Sequence, residues 1–292
     1  MEIELISGSS TAKICTTGAE LVSLKDVFGM EYIWQKDEKY WPRSSPVLFP
    51  VVGNLRNGKT VIEGKEYRIP QHGFCRDAEF QVTYHSDTTA VFTYSFSDQT
   101  LLVYPYRFSL TLSYTLDNTC LSIRYTVMNL DDRPMNYFIG AHPAFNTPVD
   151  EGSFEECCLD FEKPETAACP VYDLNECRFH MGDRIQRLQN ESHLRLCYSD
   201  FQNDAIVFDA PNSRWVRLHN LKTGRGVQVD FGDFDYIAFW TPVGKNAPFL
   251  CIEPWCGMAD CDDETGEFAL KRGVKQLSAG EQQSYELKIT ML

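Results

Sequence analysis

The sequence has 292 residues, of which 43% are hydrophobic and 13% aromatic, so it can bury a large core. Because all-β folds of this size are routinely one domain, we expect residues 1–292 to form a single domain. The formal net charge of −14 argues against nucleic acid and anionic membranes as partners, since no long run of Lys or Arg forms a basic patch.

The first ten residues, MEIELISGSS, contain no basic stretch followed by an apolar one, so they do not resemble a secretory leader. No run of about 18 apolar residues is present that would cross a membrane. We therefore expect a cytoplasmic protein. The 11 cysteines form no CxxC pair, and with the six histidines they show no ligand spacing. This pattern predicts reduced, mainly buried thiols and no metal site.

Two segments in the first third of the chain have the composition of ordered loops. The segment 45–58, SPVLFPVVGNLRNG, has two prolines and two glycines and carries Arg56. The segment 71–77, QHGFCRD, follows a proline and carries His72 and Arg76. Loops held by a rigid scaffold are common positions for binding residues, so both segments are candidates for a site.

Short runs in which apolar and polar residues alternate dominate the rest of the chain. Such alternation places one set of side chains on each face of a strand. The runs cover residues 82–96, 107–116, 120–130, 224–240 and 282–292. Asp117 and Asn118 predict a hairpin between the second and third runs. Helical periodicity is almost absent, with short candidates only at 170–177 and 258–262. We therefore predict an all-β fold, one large antiparallel sandwich with few short helices.

Three polar residues lie in or beside apolar runs. His142 follows NYFIGA and precedes Pro143, which would interrupt strand pairing. Glu253 follows FLCI and precedes Pro254, so we predict that it lies partly buried at the end of a strand. Asp204 opens the run AIVF. Each residue also has an explanation that involves no catalysis. His142 would then be a hydrogen-bonded core histidine, Glu253 would form a salt bridge to an arginine, and Asp204 would be a turn residue.

Together these motifs resemble the aldose 1-epimerase (galactose mutarotase) family, and most closely its LacX-like branch. The most specific pieces are LFP-x-x-G-x-L-x-x-G, then HGF-x-R, and the closing IEPW-x-G. The fold that this resemblance implies is the β supersandwich of the galactose mutarotase-like superfamily. The matching stretches are GAELVSL (18–24), YIWQKDEKYWPRSSPVLFPVVGNLRNG (32–58), HGFCRD (72–77), YPYRF (104–108), GAHPAFN (140–146), NDAIVF (203–208) and FLCIEPWCG (249–257).

The resemblance also implies roles for individual residues. His142 matches the general acid of the family and Glu253 its general base, while Arg56, His72 and Asp204 match positions that bind the sugar. Exchange of anomers needs only one proton donor and one proton acceptor, so we expect no cofactor. Because acid–base catalysis works best with pKa values near the working pH, we predict that Glu253 is ionised and His142 protonated in the reactive form, with a bell-shaped pH dependence.

Other readings remain open from the sequence. A hexose-6-phosphate 1-epimerase would perform the same chemistry and could bind phosphate through Arg56 and Arg76. A carbohydrate-binding protein without catalysis could share the fold, and a glycoside hydrolase could use Asp204 with Glu253 as its two carboxylates. The expected partner is a small-molecule sugar, a hexose with or without phosphate, and the chain is a monomer or homodimer. Residues 151–190 contain no recognised motif.

Overall fold

A computed structural model describes all residues from 1 to 292, and most of its regular structure is β-strand. This confirms the prediction of an all-β fold. The strands are β1 (Glu2–Ser7), β2 (Ser10–Cys15), β3 (Glu20–Lys25), β4 (Val47–Leu48), β5 (Lys59–Ile62), β6 (Lys65–Arg68), β7 (Gln81–His85), β8 (Thr89–Ser95), β9 (Phe108–Asp117), β10 (Cys120–Asn129), β11 (Met135–Tyr137), β12 (Ile139–Ala141), β13 (Ala144–Asn146), β14 (Cys157–Asp173), β15 (Arg178–Arg195), β16 (Ile206–Phe208), β17 (Trp215–Asn220), β18 (Gly226–Asp230), β19 (Tyr236–Trp240), β20 (Phe249–Cys256), β21 (Lys275–Leu277) and β22 (Gln282–Met291).

Two antiparallel sheets form the body of the molecule. The larger has nine strands in the order β15-β14-β17-β18-β22-β10-β9-β8-β7. The smaller has the order β16-β19-β20-β12-β4, and β13 also pairs with β20. Phe161 of β14 stacks on Phe208 of β16 with ring centroids 4.9 Å apart, so the two sheets meet across a shared core. That hydrophobic core is continuous from Leu5 to Met291.

The hairpin predicted at Asp117 and Asn118 is present between β9 and β10. Asp117 pairs with Cys120, and Asn118 adopts the left-handed conformation with φ of 52° that a tight turn requires. Every second side chain of β9 is buried, as the alternation predicts.

Both predicted helices are wrong. Residues 170–173 are the end of β14 and 174–177 the following turn, while residues 258–262 form an irregular connection after β20. The α-helix that does form, α1 (Asp98–Val103), spans six residues and begins with a capping box between Ser97 and Thr100. Short 3-10 helices occur at Arg56–Gly58, Cys75–Asp77, Phe154–Glu156, Tyr198–Phe201 and Phe268–Leu270. No helix in the structure has the length and apolar character needed to cross a membrane.

The segment without a recognised motif forms a long hairpin at the edge of the larger sheet. Its strands β14 and β15 contain 17 and 18 residues, and their pairing shifts register at four places. Such bulges change which face a side chain occupies, so they break the regular alternation that would have revealed the strands. The turn between them, residues 174–177, brings Tyr172 and Phe179 to the cavity described below.

Candidate active site

His142 and Glu253 lie opposite each other where the chain from β12 to β13 runs beside β20. In the pairing of β12 with β20, Gly140 lies opposite Trp255, and β13 continues the same register further along β20. His142 and Pro143 fill the gap between β12 and β13, and this register places His142 opposite Glu253. The imidazole Nε2 lies 3.2 Å from Glu253 Oε2. The interruption caused by the proline therefore leaves the imidazole free to meet the carboxyl group of the neighbouring strand.

The position of Glu253 within its strand differs from the prediction. β20 continues through Pro254 to Cys256, and all eight of its residues are buried, so Glu253 does not lie at a strand end. The N–H of Ile252 donates to Pro143 O, and strand alternation directs position 254 toward the same side. The missing N–H of Pro254 thus faces Ala141, the last residue of β12, where pairing with β20 has already stopped.

A cavity of about 210 Å³ opens beside this pair of residues. Five of the six predicted site residues line it, namely His142, Glu253, His72, Asp204 and Arg76. They come from a loop, a 3-10 helix, a strand gap and a central strand. The fold therefore brings together residues that are up to 181 positions apart in the chain, from His72 to Glu253.

Electrostatics in the cavity favour uncharged side chains. Burial raises the pKa of Glu253 well above its ordinary value, and the nearby Asp204 raises it further. Burial lowers the pKa of His142 to about 3, and the positive charges of Arg76 and Arg43 contribute to that shift. The resting pair is therefore a neutral carboxylic acid and a neutral imidazole, and the ion pair predicted from the sequence concerns the reactive form. The Nδ1 atom of His142 is buried and has no hydrogen-bond partner in the protein.

Aromatic rings surround the imidazole and keep solvent from it. Trp41 stacks on His142 with ring centroids 4.9 Å apart and an interplanar angle of 24°. Trp240 approaches edge-on at 5.6 Å and His72 at 5.5 Å. This enclosure explains the strong effect of burial on the pKa of His142.

His72 has a defined tautomer and a strained backbone. The N–H of Gly53 donates to its Nδ1 over 3.1 Å, so the ring carries its proton on Nε2 and can donate from that atom. Burial lowers the pKa of His72, with His142 adding to the effect, which favours this neutral form. The backbone at His72 has φ of 62°, and the next residue must be glycine because a Cβ at Gly73 would lie 2.0 Å from Phe49 O.

Asp204 is oriented by an indole. Trp240 Nε1 donates to its Oδ1 over 2.7 Å, and the backbone of Asp204 is left-handed, with φ of 67°. Burial raises the pKa of Asp204, although the hydrogen bond from Trp240 opposes this shift. One carboxyl oxygen is thus occupied and the other is available to a ligand.

Arg76 lies in the 3-10 helix Cys75–Asp77 and lines the cavity. Its Nε is buried without a hydrogen-bond partner, and the nearest acid, Asp77, is 3.8 Å away. Burial lowers the pKa of Arg76, and Arg43 lowers it further. A guanidinium in this state is a strong candidate to bind an oxygen-rich ligand.

The structure does not bring Arg56 into the cavity. Its guanidinium donates to Cys261 O over 3.1 Å, and its backbone N–H donates to Asp260 Oδ2 over 2.8 Å. Asp260 is also paired with the buried Lys271. Arg56 therefore holds the connection after β20, which contributes Ala259 to the cavity wall.

Several cavity residues were not predicted from the sequence. Tyr172 and Phe179 come from the β14–β15 hairpin, and Asn54 Nδ2 donates to the hydroxyl of Tyr172 over 2.9 Å. Trp41 lies inside one of the stretches that carry the family resemblance, so a signal for it existed. Nothing in the sequence indicated Tyr172 and Phe179 as site residues, because their segment matches no motif.

A buried thiol adjoins the acid–base pair. Donor atoms of Cys251, His142 and Glu253 lie within 4.8 Å of one another, and burial raises the pKa of the thiol. These three donors could hold a metal ion. An imidazole and a carboxyl group at this distance can also exchange protons with two oxygens on a single carbon atom, and that chemistry needs no metal.

Comparisons with known proteins agree with this architecture. The family model described as aldose 1-epimerase matches residues 1–271. The plasmid-encoded protein LacX of Lactococcus lactis subsp. lactis is 37% identical over 271 residues, which cover 90% of each chain. The solved structure of a galactose mutarotase related enzyme from Lactobacillus acidophilus superimposes with a TM-score of 0.95 at 30% identity, covering 100% of this chain and 97% of its own. A galactose mutarotase-like protein from Lactobacillus casei gives 0.93 at 29% identity, with 100% of both chains covered. The expected supersandwich and the resemblance to the LacX-like branch are both confirmed.

Proposed function

Because this chain belongs to the aldose 1-epimerase family, we propose that it interconverts the α and β anomers of an aldohexose, with His142 as general acid and Glu253 as general base. The observation that carries this proposal is the 3.2 Å distance between His142 Nε2 and Glu253 Oε2 in the wall of one cavity. Anomer exchange is an isomerisation that requires both proton transfers at one carbon, which matches two groups in contact.

The sugar is held by the residues around the pair. Asp204 offers a free carboxyl oxygen to a ring hydroxyl, and His72 offers its Nε2–H. Arg76 supplies a buried N–H that lacks a partner in the free protein. A sugar hydroxyl that satisfies such groups gains affinity, since an unpaired buried polar atom costs about 1–3 kcal/mol.

Ring opening then follows as a pair of proton transfers. Glu253 takes the proton from the hydroxyl on carbon 1, and His142 gives a proton to the ring oxygen, so the bond between carbon 1 and the ring oxygen breaks. The resulting aldehyde rotates about the bond between carbons 1 and 2. The two transfers reverse on the other face and close the opposite anomer.

The neutral resting pair enters this scheme through one internal proton shift. Glu253 begins as a carboxylic acid and His142 as a neutral imidazole, because burial opposes both charges. Bound sugar hydroxyls solvate the carboxylate and the imidazolium, so the proton moves from Glu253 to His142 and produces the base and the acid. Hydrogen bonds to the charged form favour that form.

Polarimetry on freshly dissolved α-D-glucose or α-D-galactose tests the proposal. Glu253→Gln and His142→Asn should each slow anomer exchange by about 10²–10⁴-fold, the usual value of one positioned proton transfer. The matched controls are Glu165→Gln, a buried glutamate outside the cavity, and His85→Asn, an exposed histidine. Wild-type rates in either cavity variant would remove that residue from the mechanism.

A hexose 6-phosphate is the second candidate substrate, and Arg76 is the observation that favours it. Its guanidinium is partly exposed to the cavity and has an unpartnered Nε, while burial raises the pKa of both cavity carboxyl groups, those of Glu253 and Asp204. A phosphate would meet less negative charge there than the net charge of −14 suggests. Competition between glucose and glucose 6-phosphate in one exchange assay distinguishes the two substrates.

A further inference from the structure

A second group of chemically active side chains lies outside the cavity, on the outer face of the larger sheet. We call it the Asp160 cluster; it consists of Cys158, Asp160, His193 and His219. In β14, Cys158 and Asp160 are two residues apart and share a face. Asp160 pairs with His193 of β15, and Cys158 pairs with His219 of β17, so three adjacent strands present the four side chains together.

Asp160 is the centre of this cluster. His193 Nδ1 donates to its Oδ1 over 2.7 Å, and His219 Nε2 donates to its Oδ2 over 2.9 Å. The Cys158 Sγ lies 3.5 Å from Oδ1. Donor atoms of Cys158, Asp160 and His219 all lie within 4.8 Å of one another.

We propose that the Asp160 cluster binds a divalent transition-metal ion of the Zn²⁺ type. One thiolate, one carboxylate and one imidazole, from Cys158, Asp160 and His219, are ligand types that Zn²⁺ uses in proteins, while His193 hydrogen-bonds Asp160. With metal–sulfur and metal–nitrogen bonds of about 2.3 Å and 2.0–2.1 Å, tetrahedral ligand atoms lie about 3.3–3.6 Å apart. The contacts of 2.9 and 3.5 Å around Asp160 need shifts of only a few tenths of an ångström to reach those values.

Metal binding at the cluster releases one proton. Binding replaces the S–H proton of Cys158, which is released to solvent as the metal–sulfur bond forms. His219 moves its ring proton from Nε2 to Nδ1, so a neutral imidazole binds without releasing one. The hydrogen bond from His219 to Asp160 is replaced by metal bonds from the same two atoms, and the hydrogen bond from His193 to Asp160 remains.

The charges around the cluster permit a cation. Arg195 lies opposite Cys158 on β15, but its side chain is exposed and solvent screens it. Arg217 lies opposite Asp160 on β17 and is directed away, since its Nη2 donates to Gln228 Oε1 over 3.3 Å. The net charge of −14 also favours a cation over an anion at the surface.

The bound ion would join β17 to β14 at the base of the long hairpin. The same hairpin carries Tyr172 and Phe179 to the cavity wall. A metal that binds only the folded arrangement stabilises it by mass action. The site therefore has a structural role at the sheet edge, separate from the acid–base pair.

Titration of EDTA-treated, reduced protein with Co²⁺ tests this proposal, because a cobalt–thiolate bond gives a charge-transfer band in the near ultraviolet. We expect one equivalent to bind with that band. Cys158→Ser should abolish the band, and His219→Gln should weaken binding by at least about tenfold. Cys157→Ser is the matched control, since this neighbouring buried thiol points to the opposite face of β14 and should keep the band.

Two outcomes would overturn the proposal. Absence of binding in the wild-type protein is one. The other is a band that survives Cys158→Ser but disappears in Cys251→Ser, which would place the ion beside His142 and Glu253 instead. Thermal unfolding with Zn²⁺ gives an independent reading: the wild-type midpoint should rise, and that of His219→Gln, a surface change that leaves the core intact, should rise less.

Discussion

Replacing Glu253 with Gln should stabilise the protein, and the gain should grow with pH. Glu253 is 2% exposed, and burial raises the pKa of its carboxyl group well above 4.5. Between pH 4.5 and that raised pKa the unfolded chain releases this proton while the folded chain keeps it. The stability that neutral Glu253 contributes is therefore complete below about pH 4.5 and is lost as the pH rises through the folded-state pKa.

The size of the effect follows from linkage. One proton bound in the folded state but not in the unfolded state changes the free energy of unfolding by about 1.4 kcal/mol per pH unit. Gln is neutral in both states and lacks this term. The difference in free energy of unfolding between Glu253→Gln and wild type should therefore increase by up to about 1.4 kcal/mol for each unit above pH 4.5.

Urea unfolding followed by circular dichroism at half-unit pH intervals measures this difference. Glu165→Gln is the control, because the carboxylate of Glu165 accepts hydrogen bonds from two backbone N–H groups and its replacement should only destabilise. A difference between Glu253→Gln and wild type that stays constant from pH 4.5 to 7 would refute the claim that Glu253 is held neutral.

Three further predictions concern the cavity. Because burial lowers the pKa of His142 to about 3 and raises that of Glu253, kcat/KM should not decline as the pH falls from 7 to 5; a decline centred near pH 6.5 would contradict these shifts. Asp204→Ala should raise KM about tenfold, corresponding to one lost hydrogen bond of about 1.4 kcal/mol, and an unchanged KM would exclude Asp204 from binding. Arg76→Lys should raise KM, because Arg76 lines the cavity. Arg56→Lys should leave KM unchanged and lower the midpoint of thermal unfolding, because Arg56 bonds the connection after β20. The reverse pattern would exchange the roles of the two arginines.

The strands that follow regular rules were predictable from the sequence. In β9 and β10 buried side chains alternate with partly or fully exposed ones, and the turn contains the Asn that its left-handed conformation needs. The β14–β15 hairpin breaks these rules with four register shifts, so its strands and its contributions Tyr172 and Phe179 had no visible pattern. The α-helix α1 is shorter than two turns, too short to show a helical period.

The sequence predicted which residues belong to the candidate site better than it predicted where the fold places them. The sequence indicated His142 and Glu253 but placed the carboxyl group at a strand end, because a proline usually stops pairing. In the structure, pairing with β12 has already stopped opposite Pro254, so the proline does not end β20. Arg56 was assigned to the sugar, yet it bonds the connection after β20, a tertiary contact that no local motif encodes. The Asp160 cluster was equally hidden, since its members are neighbours across strands and not along the chain.

The central claim is that His142 and Glu253 work as one unit on a shared sugar atom, and a double-variant comparison of anomer-exchange rates tests it most directly. If both groups serve the same transition state, Glu253→Gln combined with His142→Asn should be about as slow as the slower single variant. Rate losses that multiply in the double variant would mean that the two groups act independently, and the account of a coupled acid and base would be wrong.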